Sequence, residues 1–285
     1  MSVLSYQDII RELGKGIYFH PLKPGSVKDC DLCLTAGECA YSLQDEKPLT
    51  ICTEQNQKGE EQKYFDIPKN DTALVWTSEA IWLSNKFRGP LYSVVKRVSK
   101  GLGHIGTRVN PEWSNVLCIA LHNVSSKPIR IYVGDVNKPI AYLAIEKLSS
   151  KCFNPSKNHK PDETSGRLDV ILGLPNTQEI NDYFNAPENG WMTNNKKETL
   201  KELMRQSDEY KKLKEGVKDK LLGFLGSDQQ TRWTGVQAIS NVLAIILSLI
   251  AIFKPSDSSN LNPRTDINSQ TQANPNKTVS PGSNK

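Results

Sequence analysis

The sequence predicts a mainly β domain followed by an amphipathic helix and one apolar span. Three observations carry that reading: a stretch of strict two-residue alternation, a series of short strands around it, and a shift of composition after residue 150. The alternation lies in residues 107–123, where Leu117, Ile119 and Leu121 share one face and Cys118, Ala120 and His122 the other. Successive side chains of a strand leave on opposite faces, so the pattern fits a strand with one face in a core. Asn110-Pro111 turns the chain into it, and Gly101, Gly103 and Gly106 loosen the approach. Residues 129–133 and 140–145 read as two more strands, separated at Gly134-Asp135. Strands this short and this regular belong to closed or sandwiched all-β domains.

The elements upstream follow the same logic. Residues 5–14 read as a short capped helix, with Ser5 as N-cap, Ile9, Ile10 and Leu13 on one face and Gly14 at the end. Residues 17–83 alternate apolar runs with turns. Residues 73–81 form a buried strand, and Trp76 and Trp82 fill the core. Residues 53–63, rich in Glu, Gln and Lys, read as an exposed loop between strands. The β domain, residues 1–150, closes near Leu148.

Beyond it the pattern changes. Residues 151–195 form a linker or added segment: 151–163 is polar with two prolines, and 167–174 reads as one more strand or an added edge. Residues 177–191 have no clear period. Within 196–233, Leu200, Leu203, Tyr210, Leu213, Val217, Leu221 and Phe224 recur at threes and fours, with Ser207 interrupting. That is an amphipathic helix, and both a helix packed on its own domain and a short three-stranded coiled coil fit it.

Residues 234–253 carry no charge and are flanked by Arg232, Trp233 and Lys254. About 20 residues at 1.5 Å each reach across a hydrocarbon core of roughly 30 Å, so a transmembrane helix is expected. A buried helix in an oligomer core is the alternative. Residues 254–285 are Ser, Asn, Thr, Pro and Gln with few apolar residues, the composition of a disordered tail. Lysines crowd the N-terminal side of the span, which places the β domain in the cytoplasm.

Charge and cysteine content narrow the function. The net charge is +5 over 285 residues, without a basic stripe interleaved with aromatics, so nucleic acid is not expected as a partner. Cys30 and Cys33 have metal-like spacing, with Cys39 nearby, but no second pair completes a zinc set. The six cysteines read as structural thiols in a reducing compartment, with no metal site.

The ordered motifs of residues 5–151 resemble those of the trimeric dUTPase and dCTP deaminase superfamily. Ser93 to Arg97 resembles its Ser-Ser-x-x-Arg segment, and Val109-Asn110-Pro111-Glu112-Trp113-Ser114 its Ile-Asp-Pro-Gly-Trp turn. Ile119-Ala120-Leu121-His122-Asn123 is similar to the strand that follows that turn. Upstream, Ser26-Val27 with Asp31-Leu32-Cys33-Leu34 resembles a Ser-Val-Asp-Leu-Arg-Leu strand, and Thr77-Ser78-Glu79 a Thr-x-Glu segment. The resemblance implies a dUTPase-like β-clip, or distorted β-barrel, assembled as a homotrimer. It also implies a nucleotide ligand, with Mg²⁺ if that ligand is a triphosphate.

What the resemblance implies for catalysis is loss. Deaminating cytosine needs a group that takes a proton from the attacking water and returns one to the leaving amine. The serine and arginine positions are filled by Ser93 and Arg97, but the family's glutamate falls on Ala120 and its turn aspartate on Asn110. A methyl group accepts no proton, and an amide is no base. His122, two residues along the same strand face as Ala120, is a candidate replacement base, and His104 a second; Glu112 and Glu146 fit non-catalytic positions. Ser93, Arg97, Arg108 and Asn110 are the expected nucleotide-binding residues. The expectation is a membrane-anchored nucleotide sensor or scaffold without the family's catalysis. An active dCTP deaminase with a substituted base and a purely structural membrane oligomer are the alternatives.

Overall fold

The structure, a computed structural model, describes residues 1–56, 58–104, 107–153, 167–193 and 197–225. Met1–Phe224 forms one compact unit. The chain enters it through the helix Tyr6–Glu12, which Ser5 caps: its hydroxyl accepts from the Asp8 N–H at 3.3 Å, while the Asp8 carboxylate accepts from the Ser5 N–H at 3.4 Å and from its hydroxyl at 2.8 Å. This reciprocal arrangement satisfies donors that a helix start leaves open. Ile9, Ile10 and Leu13 are buried, and Gly14 takes φ +82° as the chain turns away. A Cβ at Gly14 would stand 2.2 Å from the Tyr210 hydroxyl, so both conformation and space require glycine there.

Three antiparallel sheets build the β domain, and the two larger ones are each organised around one central strand. Thr72–Leu83 is the hub of a six-stranded sheet, paired along one side with Ser114–Asn123 and along the other first with Ala36–Ser42, then with Ile17–His20. Its residues are buried almost without a break, as expected of a strand covered on both faces. Phe87–Ser93 plays the same part in a seven-stranded sheet, with Ala141–Ala144, Glu146–Lys147 and Arg108–Val109 as neighbours. Ser114–Asn123 alternates as expected: Leu117, Ile119 and Leu121 are buried, while Cys118, Ala120 and His122 are half-buried. Trp76 and Trp82 lie in the core.

Several segments differ from their sequence reading. Residues 53–63 are largely strand, not loop. Cys52–Gln55 pairs with Glu61–Ile67, and Ile129–Tyr132 completes a three-stranded sheet. Outward-facing Glu, Gln and Lys hide the pleat there, because little of either face enters the core. Residues 167–174 form the helix Leu168–Leu172 rather than a strand. Its polar residue faces in: Asp169 is buried and bound by Arg167 at 2.9 and 2.6 Å, whereas Val170, Ile171 and Leu172 are exposed. Arg167 also donates to Asn181 and lies over the Phe184 ring, so the buried ion pair is well bonded.

The helix Gln178–Asn185, in the stretch without a period, buries Ile180 and Phe184, and the Phe184 ring meets Trp76 edge-on at 6.0 Å. The amphipathic segment is two helices, Lys197–Gln206 and Asp208–Leu225, broken at Ser207. Ser207 accepts from the Tyr210 N–H and so caps the second. Leu200 and Met204 are fully buried in the domain core, and the Met204 sulfur accepts from the Phe19 N–H at 3.4 Å. The segment therefore packs on its own domain at this end. Further along, Lys214 Nζ donates to the Ile10 carbonyl at 2.5 Å, at the end of the first helix, and burial lowers that ammonium to about 8. Among the described residues no helix is long and apolar enough to cross a membrane. The expected span, residues 234–253, and the expected tail, 254–285, lie outside the described residues.

Candidate functional site

Ser93 ends the Phe87–Ser93 strand, paired with Ala141, and the short helix Val95–Val98 follows at once, carrying Arg97. This brings Ser93 and Arg97 to one corner of the seven-stranded sheet. Arg108 pairs with Pro90 on the same strand, and Asn110 follows in the exposed turn, where Glu112 takes φ +64°. Glu146, expected outside catalysis, is held by Arg88 at 2.6 Å. Ala120 and His122 stand in the other sheet, opposite Leu74 and Thr72.

Arg97 is already engaged. Its Nε donates to the Pro139 carbonyl at 2.6 Å and its Nη2 to the Lys138 carbonyl, so two donors hold the loop before Ala141–Ala144. Burial lowers its guanidinium, against the charges of Asp135 and Tyr142. Around it Tyr92, Val95 and Val98 are 53, 80 and 47% exposed, an unusual apolar surface beside an arginine.

The two histidines separate by face. His122 Nδ1 shares a hydrogen bond of 2.6 Å with the Thr72 hydroxyl, on the half-buried face that also holds Ala120. His104 pairs with Leu121, and residues opposite one another in an antiparallel pair project to the same side. It therefore turns to the buried face, away from Ala120, and both its ring nitrogens are buried without a hydrogen-bond partner among the described residues.

A different place on the molecule is concave. A cleft of about 1320 Å³ opens between the three-stranded sheet and the segments around Lys23, Ser78, Gly134 and Trp191. Neither Ser93, Arg97, Asn110 nor Ala120 lines it. Several of its charges are matched: Lys63 with Glu38 at 2.7 Å and Lys138 with Asp135 at 3.4 Å within its walls, and Glu54 with Arg130 of the Ile129–Tyr132 strand at 2.6 Å. The Lys138 ammonium lies 3.4 Å from the centre of the Tyr132 ring, a cation–π contact.

Behind the cleft lies a carboxylate that sequence reasoning did not assign to a site. Glu79 is 1% exposed. It accepts from the Thr35 N–H at 2.8 Å and from the Thr35 hydroxyl at 2.6 Å. Burial pushes its carboxyl up to about 7, although Thr35 and the charge of Lys23 pull the other way. The Thr35 hydroxyl is also 3.0 Å from Ser78 Oγ, which lines the cleft. The signal was a glutamate between two apolar runs of one strand, Ala73 to Trp76 and Ala80 to Leu83. Among the described residues no cluster of His, Cys, Asp and Glu could hold a metal ion; Cys33 and Cys39 are buried and Cys30 is exposed.

Fold and site together define a class: a mainly β domain of curled antiparallel sheets, with helices added after the last strand. No family model and no curated protein matches the chain. Solved structures to which it is similar include a dCTP deaminase and several dUTPases. The 2'-deoxycytidine 5'-triphosphate deaminase of Agrobacterium tumefaciens shares 10% identity over 51% of this chain and 48% of that one, with a TM-score of 0.40. The chain thus spans about half the length of that deaminase. The EIAV dUTPase shares 16% over 45% of this chain and 98% of that one, at 0.27. The dUTPase of phage phi11 of S. aureus shares 15% over 38% and 90%, at 0.28.

Proposed function

We propose that this protein is a dCTP deaminase- and dUTPase-like domain that binds a deoxynucleotide without the family's chemistry, acting as a sensor or scaffold at a membrane. One observation carries the reading. Ala120 takes the position of the resembled family's glutamate, on a half-buried strand face opposite Leu74, so no carboxylate is paired with it there. Losing a general base costs about 10² to 10⁴ in rate. Asn110, in the turn, keeps hydrogen-bonding capacity without basicity.

Ser93, Arg97, Arg108 and Asn110 are the residues proposed to hold the nucleotide, with Mg²⁺ accompanying a triphosphate. Arg108 supplies planar donors for phosphate oxygens, and Arg97 those left after its bonds to the Pro139 and Lys138 carbonyls. The exposed side chains of Tyr92, Val95 and Val98 support a subunit contact at this corner, in keeping with a homotrimer. The uncharged residues 234–253 support a single-pass membrane anchor, with the β domain on the cytoplasmic side. A nucleotide held between subunits would then have a covalent route to the anchor through the helices beginning at Lys197.

The test uses the full-length protein with Mg²⁺ and dCTP, dUTP or dTTP. Saturable binding that weakens at least tenfold in Arg108→Ala and Asn110→Ala, with no ammonia released from dCTP, is the expected result. Absence of binding by every deoxynucleoside triphosphate returns the protein to a structural role. A second reading, an active deaminase using His122, is favoured by the placement of that imidazole on the Ala120 face. It requires steady turnover of dCTP that disappears in His122→Ala.

A further inference from the structure

The cleft described above has a corner where a glycine, a lysine and a serine from three segments meet. Gly134 adopts φ +62°, and the point where a Cβ would stand is 3.0 Å from Lys23 Nζ and 3.8 Å from Ser78 Oγ. Beyond the glycine and its chain neighbours, no other atom of the described residues lies within 4 Å of that point. The Lys23 ammonium spends one donor on the Gly134 carbonyl at 3.0 Å, and among the described residues it has no carboxylate within ion-pair distance. The other lysines with named partners in the cleft, Lys63 and Lys138, are already paired with acids.

The hydroxyl is equally available. Ser78 Oγ donates to the Ala36 carbonyl at 2.9 Å, but that carbonyl also accepts from the Gly134 N–H at 2.9 Å. Turning the Ser78 proton toward the corner leaves no carbonyl unpaired, which removes the usual cost of such a change. Trp191 and Tyr132 line the same cleft and offer apolar surface beside the corner.

We propose that this corner is a second binding site, in which a carboxylate, phosphate or sulfate group of a small molecule sits over Gly134 between the Lys23 ammonium and the Ser78 hydroxyl. The Lys23 ammonium and the Ser78 hydroxyl both lie within 4 Å of the point a Gly134 side chain would occupy, so one oxyanion held in the cleft above the glycine can reach both. A modest approach by Ser78 completes a charge-assisted pair. The site is separate from the proposed nucleotide corner, and none of its three residues belongs to that set.

The buried carboxylate behind it makes the site responsive to protons. Lys23, Cys33 and Thr35 face Glu79 from the neighbouring segments, and Glu38, Lys63, Asp135 and Lys138 add charge along the cleft. When Glu79 is ionised it competes with a bound anion for the field of Lys23. When it is protonated, Lys23 is left to the ligand. Affinity for the anion falls as pH rises through about 7, where Glu79 gives up its proton.

Sulfate and benzoate keep their charge between pH 6 and 8, so they are the probes, titrated calorimetrically into full-length protein at constant ionic strength. Sulfate binding tighter than benzoate marks a phosphate-like ligand, and the reverse order a carboxylate; either supports the site. Lys23→Met is expected to weaken the better probe about tenfold or more and Ser78→Ala by a smaller factor. Ser93→Ala leaves it unchanged, which separates this site from the nucleotide corner. Affinity should be higher at pH 6 than at pH 8, and Glu79→Gln should remove that difference. Equal affinities in the wild-type protein and a folded Lys23→Met variant, or no binding of either probe, overturn the proposal.

Discussion

Glu79 offers the sharpest prediction because the burial of one carboxyl sets its magnitude. The carboxyl rises from 4.5 in an exposed chain to about 7 in the folded one, with burial as the largest cause. Between those two values the unfolded chain has released a proton that the folded chain still holds, so stability falls as pH rises. At 1.36 kcal/mol for each pH unit, the loss reaches about 3 kcal/mol and is complete somewhat above pH 7. Glu79→Gln keeps an acceptor for the Thr35 N–H and can turn its amide toward the Thr35 hydroxyl, while holding no titrating proton. Urea unfolding of both full-length proteins from pH 4.5 to 8 gives the difference in stability at each pH, and other titrating groups cancel in that difference. The variant should gain on the wild type by about 3 kcal/mol across the interval. Parallel curves would refute the reasoning, since a carboxyl with an ordinary pKa contributes no such slope.

Ser5→Ala removes one side of the reciprocal cap on the first helix and should cost about 1 kcal/mol in the same unfolding assay. Leu200→Ala and Met204→Ala each leave a hole in a fully buried site and should cost about 2–5 kcal/mol; an effect near zero would mean that the Lys197–Gln206 helix is not part of the folded unit. Gly14→Ala should destabilise through both the positive φ and the collision with Tyr210, and adding Tyr210→Phe should recover part of the loss. Full recovery would show that backbone strain plays no part. Asp169→Asn leaves Arg167 buried without its counter-charge and should cost about 3–5 kcal/mol, measured by thermal unfolding.

Much of the β domain was legible because its strands follow simple rules. The two-residue alternation of Leu117 to His122 survives unchanged, and Ser5, Ile9, Ile10 and Leu13 describe the first helix well. The reading failed where polarity and burial part company. Cys52–Gln55 and Glu61–Ile67 form a ribbon whose outer residues are Glu, Gln and Lys, so no apolar period announces it. The Leu168–Leu172 helix inverts the usual rule, with a carboxylate inside and three aliphatic side chains outside. The sites divide in the same way. Ser93 and Arg97 lie four residues apart, a separation visible in sequence, whereas Lys23, Ser78 and Gly134 come from three distant segments that only folding brings together. Nor does a sequence reveal that Arg97 spends its donors on Pro139 and Lys138.

The burial of Leu200 and Met204 in the core of the β domain has a practical outcome for anyone isolating that domain. A fragment cut at residue 150, where composition changes, would strip Phe184 from the Trp76 ring and leave the Phe19 N–H without the Met204 sulfur. Newly bared aromatic surface of that kind invites precipitation. The smallest piece worth expressing runs at least to Lys214, whose ammonium closes the end of the first helix.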